Sequence, residues 1–341
     1  MPPSKKPKRS VLIAARLITA VVSLAGAEAV LWLGGYPRWW GMDTPWGGPS
    51  PQYACDADLG WSSRQGTFNL VWPEHPSVIR YTNWSGGRRA TAEKEPAPGD
   101  ARPKVMFFGD SFVQGYQLSD WETLPWVVQR RHPEVQVSNF AAGDFSTYQA
   151  YLAIKKWVHE PASVYYLFNW FHEGRNAADP NWLRINKKVP NGCFYPYAEL
   201  SGNGLREGRS QGNLVWWLSH HLRTVALVQD YGDILESLRR VRNKRHLTEA
   251  LLIKMDETVR GQGGKFTVIL SDVLPEDRKD YRKFLESKGI AFVDYDRPEL
   301  KDKKLRLPDG HPNGSLHELF AQWMEPLQVT VSRGAEARER R

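Results

Sequence analysis

The sequence predicts an α/β domain, a central parallel sheet with helices on both faces, preceded by one N-terminal helix able to cross a membrane. Three observations carry this. Short apolar runs at residues 105–108, 135–140, 163–168, 266–270 and 290–294 have the length of buried strands. Helical patterns separate them, and parallel strands need such crossovers. An apolar stretch at residues 11–33 follows Lys5, Lys6, Lys8 and Arg9 and approaches the ~20 residues of a spanning helix.

Residues 1–35 therefore read as a membrane anchor. Arg16 and Glu28 interrupt the apolar run, and each can snorkel to an interface. The basic flank predicts a cytoplasmic N-terminus and an extracytoplasmic, periplasmic body. Ala25-Gly26-Ala27 offers a signal-peptidase site, but apolar residues 29–33 continue beyond it and favour an uncleaved, single-pass anchor. Residues 36–100 form a Trp/Pro/Gly-rich extension without long helical periodicity. Its Tyr36-Pro37-Arg38-Trp39-Trp40 suits a bilayer interface.

Polar, Pro-containing residues 92–102 mark the start of the main domain, residues 101–332. Ser119 and Glu122 form a capping-box pattern ahead of a helix whose Leu124, Val127 and Val128 share one face. A second helix is expected at 148–158. After Asn176 the alternation breaks, and residues 179–245 read as an irregular, Gly-rich insert with one helix near 214–228. Leu247, Leu251, Leu252, Met255 and Val259 then fall on one helical face, which Gly261, Gly263 and Gly264 can terminate. Helices at 276–288 and 314–329 complete the domain, and 333–341 is a charged, disordered tail.

The net charge of +8 sits largely at the two chain ends, so a basic nucleic-acid groove is not expected. Two cysteines, Cys55 and Cys193, exclude a disulfide-dense scaffold and a four-cysteine zinc site. They can pair if the body lies outside the cytosol, or stay buried and unpaired.

Chemistry concentrates at Val105–Tyr116, VMFFGDSFVQGY. A strand ends at Gly109-Asp110, and Ser111 then opens a helix-compatible segment. That turn exposes a hydroxyl and aims helix N-terminal N–H groups at it. Near the C-terminus, Asp309-Gly310-His311 supplies an imidazole with a carboxylate two residues before it. Together they suggest serine-dependent acyl transfer or hydrolysis through a Ser-His-Asp triad, with no metal or organic cofactor. Ser210 also fits a G-x-S-x-G pattern, but polar, Gly-rich residues 201–207 precede it where a buried strand is needed.

GDSF at Ser111, NFAAGDFSTYQ at 139–149 and DGHPN at 309–313 are similar to blocks I, II and V of the SGNH (GDSL-type) hydrolases, in that order. Leu59-Gly60-Trp61, Tyr81-Thr82-Asn83 and Arg88-Arg89 resemble segments of a membrane-anchored bacterial branch. The resemblance implies a three-layer, flavodoxin-like fold. It also implies Ser111 as nucleophile, His311 as general base, Asp309 as its orienting group, and the N–H groups of Ser111 and Gly143 as an oxyanion hole. Block III departs from the family's Gly-x-Asn-Asp. Within Leu167–Asn176, Asn169 or His172 is the expected third oxyanion donor.

The function so implied is an esterase acting on an acyl ester, with an O-acetylated glycan as a candidate substrate. A carbohydrate O-acyltransferase and a non-catalytic glycan-binding or assembly protein are the alternatives. Trp170, Trp182, Trp216 and Trp217 suit either sugar stacking or core and lid packing.

Overall fold

In the computed structural model the expected apolar runs pair into one sheet. The structure describes residues 9–36, 52–72, 77–180, 182, 193–202, 204–210 and 214–329. The tryptophans of the interfacial motif, Trp39 and Trp40, and the tail at 333–341 lie outside the described residues. In chain order the strands are β1 Tyr53–Asp56, β2 Gly60–Ser63, β3 Gly66–Leu70, β4 Ile79–Asn83, β5 Lys104–Phe108, β6 Gln136–Asn139, β7 Ser163–Phe168, β8 Tyr195–Ser201, β9 Gly204–Ser210, β10 Lys265–Leu270 and β11 Ala291–Asp294.

The central sheet runs β11-β10-β7-β5-β6 and all its neighbours are parallel. Its first strand, β5, therefore has β6 on one side and β7 on the other. This is the flavodoxin-like order, and ligands bind where the order reverses, at the strand carboxyl ends. Ser111 follows the end of β5 at that reversal.

Strand alternation builds two cores. Met106, Phe108, Tyr166 and Phe168 face the helices Thr147–Trp157, Lys244–Gly261 and Pro275–Lys288. Val105, Phe107, Tyr165, Leu167 and Ile269 face the helices Leu124–Arg131 and Gly314–Trp323. The result is the expected three-layer α/β arrangement. The last helix is shorter than its apolar pattern suggests. It stops at Trp323 because Pro326 disfavours helical backbone at Glu325.

The insert departs furthest from expectation. Its described residues are regular: β8 and β9 form an antiparallel hairpin, and the helices Leu214–His221 and Arg223–Arg242 follow. The single helix expected near 214–228 is two, broken where Leu222 is extended (φ −120°, ψ 123°). Charged side chains packing inward hide this order from a hydrophobic pattern. Arg240 is buried, lies 4.6 Å from the Tyr197 ring centroid and donates to the Ala177 carbonyl at 2.9 Å. Ser210 ends β9 in that antiparallel hairpin, the wrong setting for a nucleophile elbow.

The extension packs into the main domain. Leu59 and Trp61 enter its core. Arg89 is fully buried, bonds Asp120 Oδ1 at 3.1 Å and the Leu118 carbonyl at 2.8 Å, and lies over the Tyr81 ring. Cys55 and Cys193 form a disulfide that ties β1 to the entry of β8. The helix Arg9–Leu33, 25 residues, is long and apolar enough to cross a bilayer, and none of its residues is buried against the body.

Candidate active site

Gly109 makes the sharp exit from β5. Its φ of +152° suits glycine, and a Cβ there would lie 3.0 Å from Val113 and 3.4 Å from the Leu167 carbonyl. Asp110 then caps the short helix Ser111–Gln114, accepting the Phe112 N–H at 3.0 Å. This turn presents the Ser111 hydroxyl. From 200 residues away, His311 Nε2 reaches Ser111 Oγ at 2.9 Å. His311 Nδ1 lies 3.0 Å from Asp309 Oδ2, off the best hydrogen-bonding line, and Asp309 Oδ1 accepts the His311 N–H at 3.1 Å. The three triad residues expected from sequence are thus brought together.

Burial would raise the Asp309 carboxyl, but the His311 side chain and N–H outweigh it and hold the acid below the ordinary carboxylate range. Gln117 adds a third contact, its Nε2 donating to Asp309 Oδ2 at 3.2 Å. Gln117 does so from a left-handed backbone (φ +57°), an uncommon conformation for a residue other than glycine. Phe112 and Tyr116 flank the imidazole, with ring centroids 5.2 and 4.7 Å away, and Trp72 Nε1 donates to the Tyr116 hydroxyl at 3.0 Å.

The expected oxyanion donors fare differently. At Gly143 the approach is close: a Cβ would sit 2.4 Å from the Tyr53 hydroxyl, which would have to move. That hydroxyl accepts the Gly143 N–H at 3.2 Å and donates to Gln114 Oε1 at 2.6 Å. Burial, aided by the nearby Tyr81 and Asp144, raises the Tyr53 phenol well above its ordinary value, so it stays protonated. Trp61 Nε1 fixes the same loop by donating to the Gly143 carbonyl at 2.9 Å. The Gly143 N–H, an expected oxyanion donor, is therefore engaged by a side chain from β1.

His172, the other expected third donor, is engaged elsewhere. It is fully buried, with Nε2 3.1 Å from Asp110 Oδ2 and Nδ1 accepting the Asn169 N–H at 3.3 Å. Burial lowers its pKa despite the Asp110 charge, and a neutral ring has one N–H, which Asp110 takes. For Asp110, burial raises the pKa, but His172, Arg175 and the Phe112 N–H together lower it further. Asn169 is equally buried and also faces Asp110, but it is less firmly engaged. Its Oδ1 accepts the Asp272 N–H at 3.0 Å, and its Nδ2 makes only long contacts of 3.4 and 3.5 Å with Asp110.

Of the four tryptophans singled out, Trp170 is about half exposed and continues an aromatic run through Phe171 and Phe112 to His311. Trp182 is core, packed on Tyr195 and under Arg175. Trp217 stacks on His221. The Trp216 side chain lies outside the described set. Sequence reasoning missed Tyr53 and Gln117, which lie in no recognised motif, and Gln114, which lies within Val105–Tyr116 but was given no role.

No family model matches the chain, and no curated protein matches it. Several solved structures do. One described as TesA is 12% identical, covering 65% of this chain and 96% of its own, at a TM-score of 0.40. The psychrotrophic esterase EstA from Pseudoalteromonas sp. is 12% identical, covering 65% and 94%, at 0.38. A member of the lipolytic protein G-D-S-L family from Veillonella parvula is 11% identical, covering 66% and 97%, at 0.39. Overlaps this loose carry no weight for the chemistry, which rests on the distances around Ser111.

Proposed function

We propose that this chain is a serine-dependent acyl-ester hydrolase of the SGNH type, working through an acyl-enzyme. The 2.9 Å contact between His311 Nε2 and Ser111 Oγ, with Asp309 behind the imidazole, carries the reading. Ser111 Oγ attacks the ester carbonyl carbon as its proton passes to His311 Nε2. The carbonyl oxygen becomes an oxyanion facing the N–H groups of Ser111 and Gly143, the latter once Tyr53 yields it, with Asn169 Nδ2 as third donor. Collapse expels the alcohol, which takes the proton from His311. Water, deprotonated by the same imidazole, then attacks the acyl-Ser111 carbonyl, and collapse releases the acid as His311 returns that proton to Ser111 Oγ.

The substrate we assign is an O-acetylated glycan at the outer face of the cytoplasmic membrane. Half-exposed Trp170, next to Asn169, supports a sugar-stacking wall. The Cys55–Cys193 disulfide supports an oxidising compartment, and the basic flank before the spanning helix supports an N-terminus inside.

The test is acetate release from p-nitrophenyl acetate and from an O-acetylated glycan by the full chain in detergent, against Ser111→Ala. Activity that the substitution abolishes establishes the serine mechanism. Equal background from both proteins would leave a glycan-binding role, and acetyl appearing on an added acceptor glycan would make the chain a transferase.

A further inference from the structure

Among the described residues the N-terminal helix meets the body around Glu28, and that contact bears on what surrounds the neighbouring helix. Along Arg9–Leu33 every residue up to Ala27 is exposed, and partial burial begins at Glu28. Glu28 caps the helix Arg223–Arg242. Its Oε1 accepts the Arg223 N–H at 2.8 Å, and its Oε2 accepts the Thr224 N–H at 3.0 Å and the Thr224 hydroxyl at 3.3 Å. Arg223 adds an ion pair to Glu28 at 3.4 Å and donates to the Tyr36 carbonyl at 2.9 Å, and the Tyr36 hydroxyl donates to Asp230 at 2.5 Å. The two helices therefore run alongside each other, with residue 223 level with residue 28 and residue 230 level with residue 36.

Depth follows from helix geometry. At 1.5 Å per residue, Glu28 stands about 28 Å above Arg9, close to the ~30 Å thickness of a hydrocarbon core. Arg223 is then at the outer boundary of that core. Leu222 alone separates it from the helix Leu214–His221, so the last turn of that helix is held near the same level and its eight residues, about 12 Å, bring its start no farther than that from the boundary. That helix exposes Leu214 (70%), Val215 (45%) and Trp217 (52%), while Ser219 is buried. Between one and just over two turns beyond the cap, Val228 and Tyr231 are also exposed. An apolar face with a tryptophan, held at the bilayer edge, has lipid as its neighbour.

We propose that the helix Leu214–His221 lies in the outer membrane interface beside the spanning helix, with Leu214, Val215 and Trp217 in the headgroup–acyl boundary. The body is then seated on the membrane by two elements and cannot swing freely on one. The inference rests on the reading that Arg9–Leu33 stays uncleaved and spans the bilayer, and the experiment separates the two.

The full chain is reconstituted in vesicles of phosphatidylcholine and phosphatidylglycerol with one nitroxide label each at Val21→Cys, Leu214→Cys, Trp217→Cys and Lys279→Cys. The native cysteines are paired, so only the introduced thiol takes the label. Collision with oxygen, which concentrates in lipid, is compared with collision with a water-soluble nickel chelate. Lys279 is exposed on the body and gives the aqueous reference. The expected result is an oxygen-to-nickel ratio several-fold above that reference at Leu214 and Trp217, and higher still at Val21. Aqueous ratios at Leu214 and Trp217 with a lipid ratio at Val21 would overturn the proposal and leave the anchor standing. Aqueous ratios at all sites would remove the anchor and the proposal together. Shielding of Leu214 and Trp217 from both reagents would mean a protein partner, a second copy included, and would also overturn it.

Discussion

At the scale of single residues, the catalytic reading stands or falls on how His311 is held. Asp309 fixes the ring from the Nδ1 side, at 3.0 Å, and Gln117 steadies Asp309 in turn. Asp309→Asn should keep the fold while offering the ring an amide that can stabilise the wrong tautomer. Esterase kcat is expected to fall on the order of 10²–10⁴-fold with only a small fall in Tm, measured by steady-state kinetics and calorimetry. Tyr53 sets the opposite expectation. Its hydroxyl occupies the Gly143 N–H, and an oxyanion must displace it. Breaking one such hydrogen bond costs about 1 kcal/mol, equivalent to roughly fivefold in rate. Tyr53→Phe should therefore raise kcat/KM about fivefold, and a comparable fall would show instead that the hydroxyl assists the oxyanion. The triad was legible because its members sit in contiguous motifs, GDSF and DGHPN. Tyr53 was not, because it contacts Gly143 across 90 residues from a segment with no motif of its own. The aim of His172 was equally hidden, since it depends on the register of a five-residue helix after β7 rather than on residue type.

Among the elements, the five central strands and the helices between them were readable from alternation and periodicity, because each buries an apolar face. In the insert only a helix near 214–228 was readable; its break at Leu222 and its continuation to Arg242 were not, where Arg240 places charge inside. Where helices meet, a buried polar contact also sets acid stability. His317, on the helix Gly314–Trp323, accepts the Leu124 N–H through Nδ1 at 2.7 Å and so caps the helix Leu124–Arg131. Burial, with smaller contributions from His311 and Arg89, pushes His317 down from 6.5 to about 3. The unfolded chain therefore takes up this proton first as pH falls. The stabilisation is complete above 6.5 and is lost progressively as pH drops from there toward 3, at up to about 1.4 kcal/mol per pH unit. His317→Asn retains an acceptor but does not titrate. Its Tm should be lower than wild type at pH 7.5 and decline less steeply between pH 6.5 and 4.5. Parallel Tm–pH curves for the two proteins would show that His317 is not buried in its neutral form.

For the molecule as a whole, the disulfide matters more than its packing suggests. Cys55 is exposed and Cys193 is only partly buried against the core. Yet the bond closes a loop of 138 residues that contains Ser111 and Gly143, and it fastens β1, the strand carrying Tyr53, to the chain entering β8. A cross-link over so long a loop restricts the unfolded chain strongly, which is worth about 2–4 kcal/mol. The double variant Cys55→Ser/Cys193→Ser avoids a stray thiol and should lose stability in that range, with Tm several degrees lower. Below its Tm the variant has a second expected signature. With β1 no longer fastened, the Tyr53 hydroxyl should leave Gly143 more readily, so Tyr53→Phe should raise kcat/KM less in this background than in wild type. Dithiothreitol should reproduce both effects in wild type and neither in the double variant. Full additivity of Tyr53→Phe with disulfide removal would show that the bond stabilises the fold without bearing on the oxyanion site.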